Sequence, residues 1–168
     1  LIAELIREGF LYSLQPDVIH ITSLFEGYVD DAVTSIGRFD LKTQVSVSLY
    51  DFIPLLNPDQ YLADPCYETY YRRKVAELKK ASRYLCISES ARQEGIKALE
   101  ESSSSFINCS IGYEEYFKVI EVTMPEAVEL RKKFCLSRPF VLYSGGMDGR
   151  KNLPRLIEAF AKLPVDLR

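Results

Sequence analysis

Tyr84-Leu-Cys-Ile-Ser-Glu-Ser-Ala-Arg92 reads as a short apolar strand running directly into a helix, with Ser88 and Ser90 supplying N-cap hydroxyls at the join. The same alternation repeats on either side. Asp17-Val-Ile-His-Ile-Thr22, Gln44-Val-Ser-Val-Ser-Leu49, Phe106-Ile-Asn-Cys109 and Phe140-Val-Leu-Tyr143 are β-rich runs. Helical patterns lie between them, near 26–37, 67–83, 89–101, 125–135 and 153–163. A further helix is expected at the start, where Leu1, Ile2, Leu5, Ile6, Phe10 and Leu14 recur at helical spacing. Short strands alternating with helices predict an α/β fold, a Rossmann-like parallel sheet with helices on both faces. Ligands of such sheets bind beyond the carboxyl ends of the strands, so the residues there are the first candidates for function.

Composition agrees with a globular chain. Of 168 residues, 47% are hydrophobic and 27% charged, which excludes disorder, collagen and coiled coil as the main reading. No apolar run is long enough to cross a membrane. A net charge of −3 argues against a nucleic-acid partner. The four cysteines form no C-x-x-C pair and there is one histidine, His20, so no metal site is expected. We read the cysteines as reduced and mostly buried, in a cytoplasmic protein. The helix at the start and the expected strand after Leu163 suggest a piece of a longer chain. A junction near 117–123 is expected, where Thr123-Met-Pro-Glu126 supplies a capping box for a new helix.

The strongest local chemistry lies at Tyr143-Ser-Gly-Gly-Met-Asp-Gly-Arg-Lys-Asn-Leu-Pro-Arg155. A strand end, a glycine-containing loop and a helix with Asn152 as N-cap and Pro154 in its first turn bring unpaired amides together. Glycines let backbone amides approach a ligand, and Arg150 and Lys151 add full charges. The set suits a phosphate or diphosphate. It is neither a Walker loop nor the dinucleotide G-x-G-x-x-G. The plainer alternative is a helix start with two solvated basic residues.

Residues 143–160 resemble the first βα unit of the donor domain in GT-B glycosyltransferases of family 4, with their G-[GR]-x-D-x-R-K-N loop and E-A-F helix. Four upstream segments are similar to that family, in its order. They are Pro16 to Gly27, Val47-Ser-Leu-Tyr-Asp-Phe-Ile-Pro54, Ile87-Ser-Glu-Ser-Ala-Arg92 and Ile111-Gly-Tyr-Glu-Glu-Tyr-Phe117. The resemblance implies an incomplete GT-B. Residues 1–120 would be part of the acceptor-side domain, and 121–168 a linker helix and the start of the nucleotide-sugar-binding domain. It implies a retaining transferase that needs no metal, uses a nucleotide-sugar such as GDP-mannose, and glycosylates a glycan or lipid-linked glycan. Lys151, with Arg150, would stabilise the leaving diphosphate. Gly145, Gly146, Asn152 and Tyr50 would lie against the donor. Glu26, Gly27, Asp51, His20 and Ser88 would form the acceptor-side wall. The chain departs from the family pattern in having Gly146 where many members have Arg, Tyr50 where His is usual, and Ile111-Gly112 for Asn-Gly. The family's E-x7-E pair would fall after Arg168 and its first glycine-rich loop before Leu1, so the 168 residues alone are expected to be inactive.

Structural roles compete at several positions. His20 is equally a hydrogen-bonded strand residue, Glu26 a helix-start acid, Asp51 a turn cap and Ser88 an N-cap. Tyr67, Tyr70 and Tyr71 fit a core stripe. The opposite face, with Arg72, Arg73, Lys79 and Lys80, is a solvated surface or, less simply, a contact with an anionic membrane. The function class set against a transferase is a non-catalytic phosphate-binding or interaction module on the same scaffold.

Overall fold

The computed structural model describes residues 1–147 and 149–164, without the side chain of Arg150. The chain divides into two compact units, Leu1–Tyr113 and Glu114–Arg168.

The first unit is a four-stranded, wholly parallel sheet in the order β1 (Val18–Ile21), β2 (Gln44–Leu49), β3 (Arg83–Cys86) and β4 (Phe106–Asn108). The alternation of Val45, Val47 and Leu49 with Ser46 and Ser48 gives β2 one apolar side. Together with Ile21, Tyr84, Cys86 and Phe106 that side forms the core. Three helices pack onto it: α1 (Ile2–Ser13), α4 (Pro65–Leu78) and α5 (Glu89–Leu99). Two single-turn helices, α2 (Ile53–Leu56) and α3 (Pro58–Tyr61), precede α4. Connections of one hand, in a sheet whose order never reverses, place the crossovers on one side. The other side, with Val18, His20, Gln44, Arg83 and Ile107, is exposed among the described residues.

Side-chain caps start two helices, one at Ser88 as the sequence predicts and one at Asp64, which it did not single out. Asp64 Oδ1 accepts the amides of Cys66 (2.7 Å) and Tyr67 (3.1 Å) at the head of α4, and Ser88 Oγ accepts that of Ala91 (3.1 Å) at the head of α5. α4 then ends at Leu78, because Arg83 is already in β3.

α1 reverses its expected orientation. Leu1, Ile2, Ile6, Phe10 and Leu14 are exposed, whereas Glu4 and Glu8 are buried. Glu8 Oε2 accepts the backbone amides of Arg38 (2.7 Å) and Phe39 (2.6 Å), and its Oε1 accepts the Ser35 hydroxyl (2.6 Å). Glu4 pairs with Arg73 at 2.6 Å and with Arg38 at 3.5 Å, and Arg38 reaches Glu77 at 2.5 Å. Charge-assisted bonds to loop amides and arginines thus fix which side of α1 faces inward. Burial draws the Glu4 carboxyl upward, but the hydrogen bond and charge of Arg73 outweigh it and hold it below its ordinary value.

The expected helix over 26–37 is a loop. Gly27 (φ +97°) and Gly37 (φ +66°) adopt conformations that break a right-handed helix, and Asp30 Oδ1 turns the chain by accepting the Ala32 amide at 2.7 Å. The cysteine expectation also fails. All four are free, but only Cys86 is buried; Cys66, Cys109 and Cys135 are exposed.

The second unit carries α6 (Met124–Lys133) and α7 (Leu153–Ala161). The capping box forms as expected, with Glu126 accepting the Thr123 amide at 2.8 Å. The strand expected at 140–143 is absent, because a strand needs a partner ladder and the described residues of this unit offer none.

Buried groups on the core side set the response to alkali. Burial raises Tyr84 and Tyr70 from 10.0 to about 12 and Cys86 from 9.0 to about 11. The unfolded chain loses these protons first, so stability falls as pH climbs through that window. Burial depresses Lys74 below its ordinary 10.5, an opposing but single contribution. Denaturant midpoints should therefore drop between about pH 9 and about pH 12; a flat or rising midpoint would contradict this packing.

Candidate functional site

The parallel sheet brings the carboxyl ends of consecutive strands side by side, about 4.8 Å apart. Glu26 and Gly27 follow β1, Tyr50 and Asp51 follow β2, and Ser88 follows β3. The expected acceptor-side residues therefore share one edge, except His20. That residue lies within β1 on the exposed side, with Nδ1 2.8 Å from Ser46 Oγ and Nε2 3.1 Å from Ser48 Oγ. Both ring nitrogens are engaged, so His20 ties β1 to β2.

At the edge, Asp51 Oδ1 accepts the Ile53 amide at 3.0 Å and starts α2. Asp51 and the half-exposed Tyr50 are both open to solvent at the same strand end. The next residue, Phe52, is fully buried, and its amide donates to Glu94 Oε2 at 3.2 Å. Glu94 thus links the end of β2 to α5; sequence reasoning passed over it because its partner is 42 residues away.

The β1 loop is held from α4. The Tyr70 hydroxyl donates to the carbonyls of Phe25 (3.0 Å) and Glu26. Lys74, 2% exposed, donates to the carbonyl and hydroxyl of Thr34, whose own hydroxyl donates to Leu24 O at 2.7 Å. The Glu26 carboxylate is exposed and accepts the Ser23 hydroxyl at 2.8 Å. Tyr71 is buried and stacks on Phe25 at 4.9 Å, as a core residue should, whereas Tyr67 and Tyr70 are half-buried under Tyr28. Burial, with Asp51 and Glu94 close by, raises the Tyr71 phenol. The basic face of α4 is largely committed to protein partners. Arg73 pairs with Glu4, Lys80 donates to the carbonyls of Ile36 and Gly37, and Arg72 pairs with Glu68.

Gly27 is the tightest point of this loop. A Cβ there would lie 2.2 Å from the Ala32 carbonyl oxygen, at a φ that L-residues avoid. Gly27→Ala should cost about 1–3 kcal/mol in urea unfolding and speed amide exchange through 24–34. An unshifted midpoint would mean that the loop is not locked here.

In the second unit, the Tyr143 hydroxyl donates to Gly146 O at 2.9 Å and closes the glycine loop. A Cβ on Gly145 would come 2.8 Å from that hydroxyl oxygen. Gly149–Lys151 make one 3-10 turn, with Lys151 exposed. Asn152 occupies the N-cap position of α7 in a left-handed conformation (φ 51°), and its side chain makes no cap bond. The first-turn amides of α7 therefore lack the side-chain cap the sequence predicted, and such amides attract anions. Asp148 and the side chain of Arg150 lie outside the described residues. Among the described residues, no group of three or more His, Cys, Asp or Glu side chains is placed to hold a metal ion.

An α/β chain with polar residues gathered at the ends of parallel strands, and a glycine loop leading into a helix, belongs to a class that binds ligands at strand ends. No family model matches the chain, and no solved structure matches it. Curated relatives do. Over 166 residues it is 32% identical to proteins described as serotype-specific mannosyltransferase WbdA from Escherichia coli, an alignment covering 99% of this chain and 20% of the relative. Two further relatives of the same description and organism match with the same identity and coverage. The chain thus spans a fifth of the length of the curated relatives it matches.

Proposed function

We propose that this chain is a segment of a glycosyltransferase that moves mannose from a nucleotide-sugar, GDP-mannose being the first choice, to a glycan or lipid-linked glycan with retention of configuration. The observation that carries the reading is its end-to-end similarity, across 99% of its length, to mannosyltransferases. Two features of the chain support it. The uncapped start of α7 sits beside the exposed Lys151 and the glycine loop. The ends of β1, β2 and β3 present Glu26, Gly27, Tyr50, Asp51 and Ser88 along one edge.

In this reading the first unit faces the acceptor and the second begins the donor side. The amides at Gly145, Gly146 and Asn152 approach the diphosphate, and Lys151 with Arg150 neutralises the charge that builds on it as the glycosidic bond breaks. No metal is needed where two cations and a helix N-terminus share that charge. Gly146, having no side chain, leaves the cationic share to Lys151 and Arg150. Asp51 keeps one oxygen for an acceptor hydroxyl, and Tyr50 lies beside it against the donor sugar. Ser88 shapes the wall through the cap it makes, whereas His20, away from that edge, serves by tying β1 to β2.

No described helix is long and apolar enough to cross a membrane. We place the reaction at the cytoplasmic face, with any lipid-linked acceptor reached by peripheral contact.

The test is the coding region on both sides. An E-x7-E pair downstream and a glycine-rich βα turn upstream are expected. A second half lacking the glutamates would instead favour a non-catalytic binding module.

A further inference from the structure

We propose that Tyr28, backed by Tyr67 and Tyr70, is a stacking surface for one pyranose ring of a saccharide acceptor. The identification of that saccharide as an acceptor rests on the glycosyltransferase reading; the binding surface itself rests on the geometry that follows.

The three tyrosines form a corner. Tyr28 lies 5.0 Å from Tyr67 at 61° and 5.2 Å from Tyr70 at 46°, while Tyr67 and Tyr70 run nearly parallel, 6.4 Å apart at 21°. A ring serving only the core would be covered, yet Tyr28 leaves 41% of its surface to solvent. The corner is pinned from behind. The Tyr70 hydroxyl is spent on the Phe25 and Glu26 carbonyls, and its ring carries Arg73 at 5.7 Å and Lys74 at 5.5 Å. Lys74, through Thr34, fixes the far end of the loop, and the forced conformation of Gly27 sets where Tyr28 begins. A surface ordered beforehand binds without a further ordering cost.

The chemistry around the corner selects the ligand. A pyranose has a C–H face that packs on an aromatic ring and a rim of hydroxyls that need acceptors. The Glu26 carboxylate is near enough to act on the Tyr70 phenol and Asp64 on that of Tyr28, with Asp64 Oδ1 used for capping. Next to it is a polar cavity of about 140 Å³, lined by Glu26, Gly27, Thr34, Tyr70, Arg73 and Lys74. Pockets for drug-sized ligands start near roughly 300 Å³, so this one suits a single sugar-sized group. Nucleobases also stack on tyrosine, but Glu26 and Asp30 act on the Tyr70 phenol and Asp64 on that of Tyr28, and the cations of the adjoining cavity are already engaged, Arg73 by Glu4 and Lys74 by Thr34, so the corner favours neutral hydroxyls over a phosphate. The corner follows β1 at the carboxyl edge, where a parallel sheet receives ligands.

The test needs no donor and no catalysis. Saturation-transfer NMR is run on the 168-residue chain with methyl α-D-mannopyranoside, an α-linked mannotriose and, as a competing class, GMP. The expected result is saturation of sugar ring protons by the parent chain and by Tyr28→Phe, reduced roughly fivefold or more in Tyr28→Ala and in Tyr28→Leu, which keeps apolar bulk without a ring. Amide spectra of each variant establish that the fold is intact, and Tyr28→Leu decides the matter if Tyr28→Ala does not fold. No saturation with the parent chain, equal saturation in the ring-less variants, or a preference for GMP would overturn the proposal. Because neither Lys151 nor a nucleotide-sugar takes part, that failure is separate from a failure of the transferase reading, which shows only in transfer assays.

Discussion

Lys151→Ala in the complete protein should lower sugar transfer by about 10²-fold or more, the scale of losing one group that meets charge developing in the transition state. Lys151 closes the 3-10 turn Gly149–Lys151, one residue before the N-cap of α7, and its side chain is exposed. An ammonium there and the first-turn amides of α7 would act on the same diphosphate. Negative charge grows on that group only as the bond to the sugar breaks, so the interaction strengthens along the reaction and its loss appears in kcat more than in KM. Lys151→Arg should recover part of the rate by keeping the charge. Activity unchanged in Lys151→Ala would remove this residue from the mechanism, whatever the sugar.

The second large effect is on stability. Phe52 is fully buried in the core that joins β1, β2, β3 and β4 to α4 and α5. Phe52→Ala should cost about 3–5 kcal/mol, the usual toll of removing a buried aromatic ring and leaving a cavity. That is a large share of the 5–15 kcal/mol typical of a whole domain. In urea the midpoint should fall by roughly 1–3 M. The variant also bears on the site. The Phe52 amide holds Glu94, and Asp51 sits one residue before it, so loosening Phe52 frees the end of β2. A loss below about 1 kcal/mol would mean that Phe52 is not part of a shared core.

How much of this was legible in the sequence depends on how local each cause is. The four strands of the first unit and the Ser88 and Thr123 helix starts were readable, because β-branched runs and caps act over a few residues. The strand at 140–143 was not, because pairing is a property of two strands and the described residues of its unit supply one run only. α1 misled for another reason. Apolar periodicity pointed to Ile2, Ile6 and Phe10, but the inward side was chosen by Glu4 and Glu8, whose partners lie some 30 to 70 positions away along the chain. The loop over 26–37 has both kinds of cause, since Gly27, Asp30 and Gly37 turn the chain locally and Lys74 and Tyr70 hold it from α4.

The candidate site divides the same way. Asp51 and Ser88 could be placed at strand ends from alternation, Glu26 and Gly27 came to the same edge only through the family resemblance, and the sheet brings those ends together. His20 could not be assigned from its neighbours; only the register that sets it opposite Ser46 shows it as a tie between strands. Tyr28 carried no sequence signal beyond following Gly27, and its grouping with Tyr67 and Tyr70 exists only in three dimensions.

The most direct measurement of the central claim is transfer by the complete protein from a panel of nucleotide-sugars to mannose-containing acceptors, with product linkage read by NMR. The expected result is transfer of mannose from GDP-mannose with the anomeric configuration retained. Absence of transfer from every nucleotide-sugar in the panel, by a folded protein carrying the downstream glutamates, would contradict it.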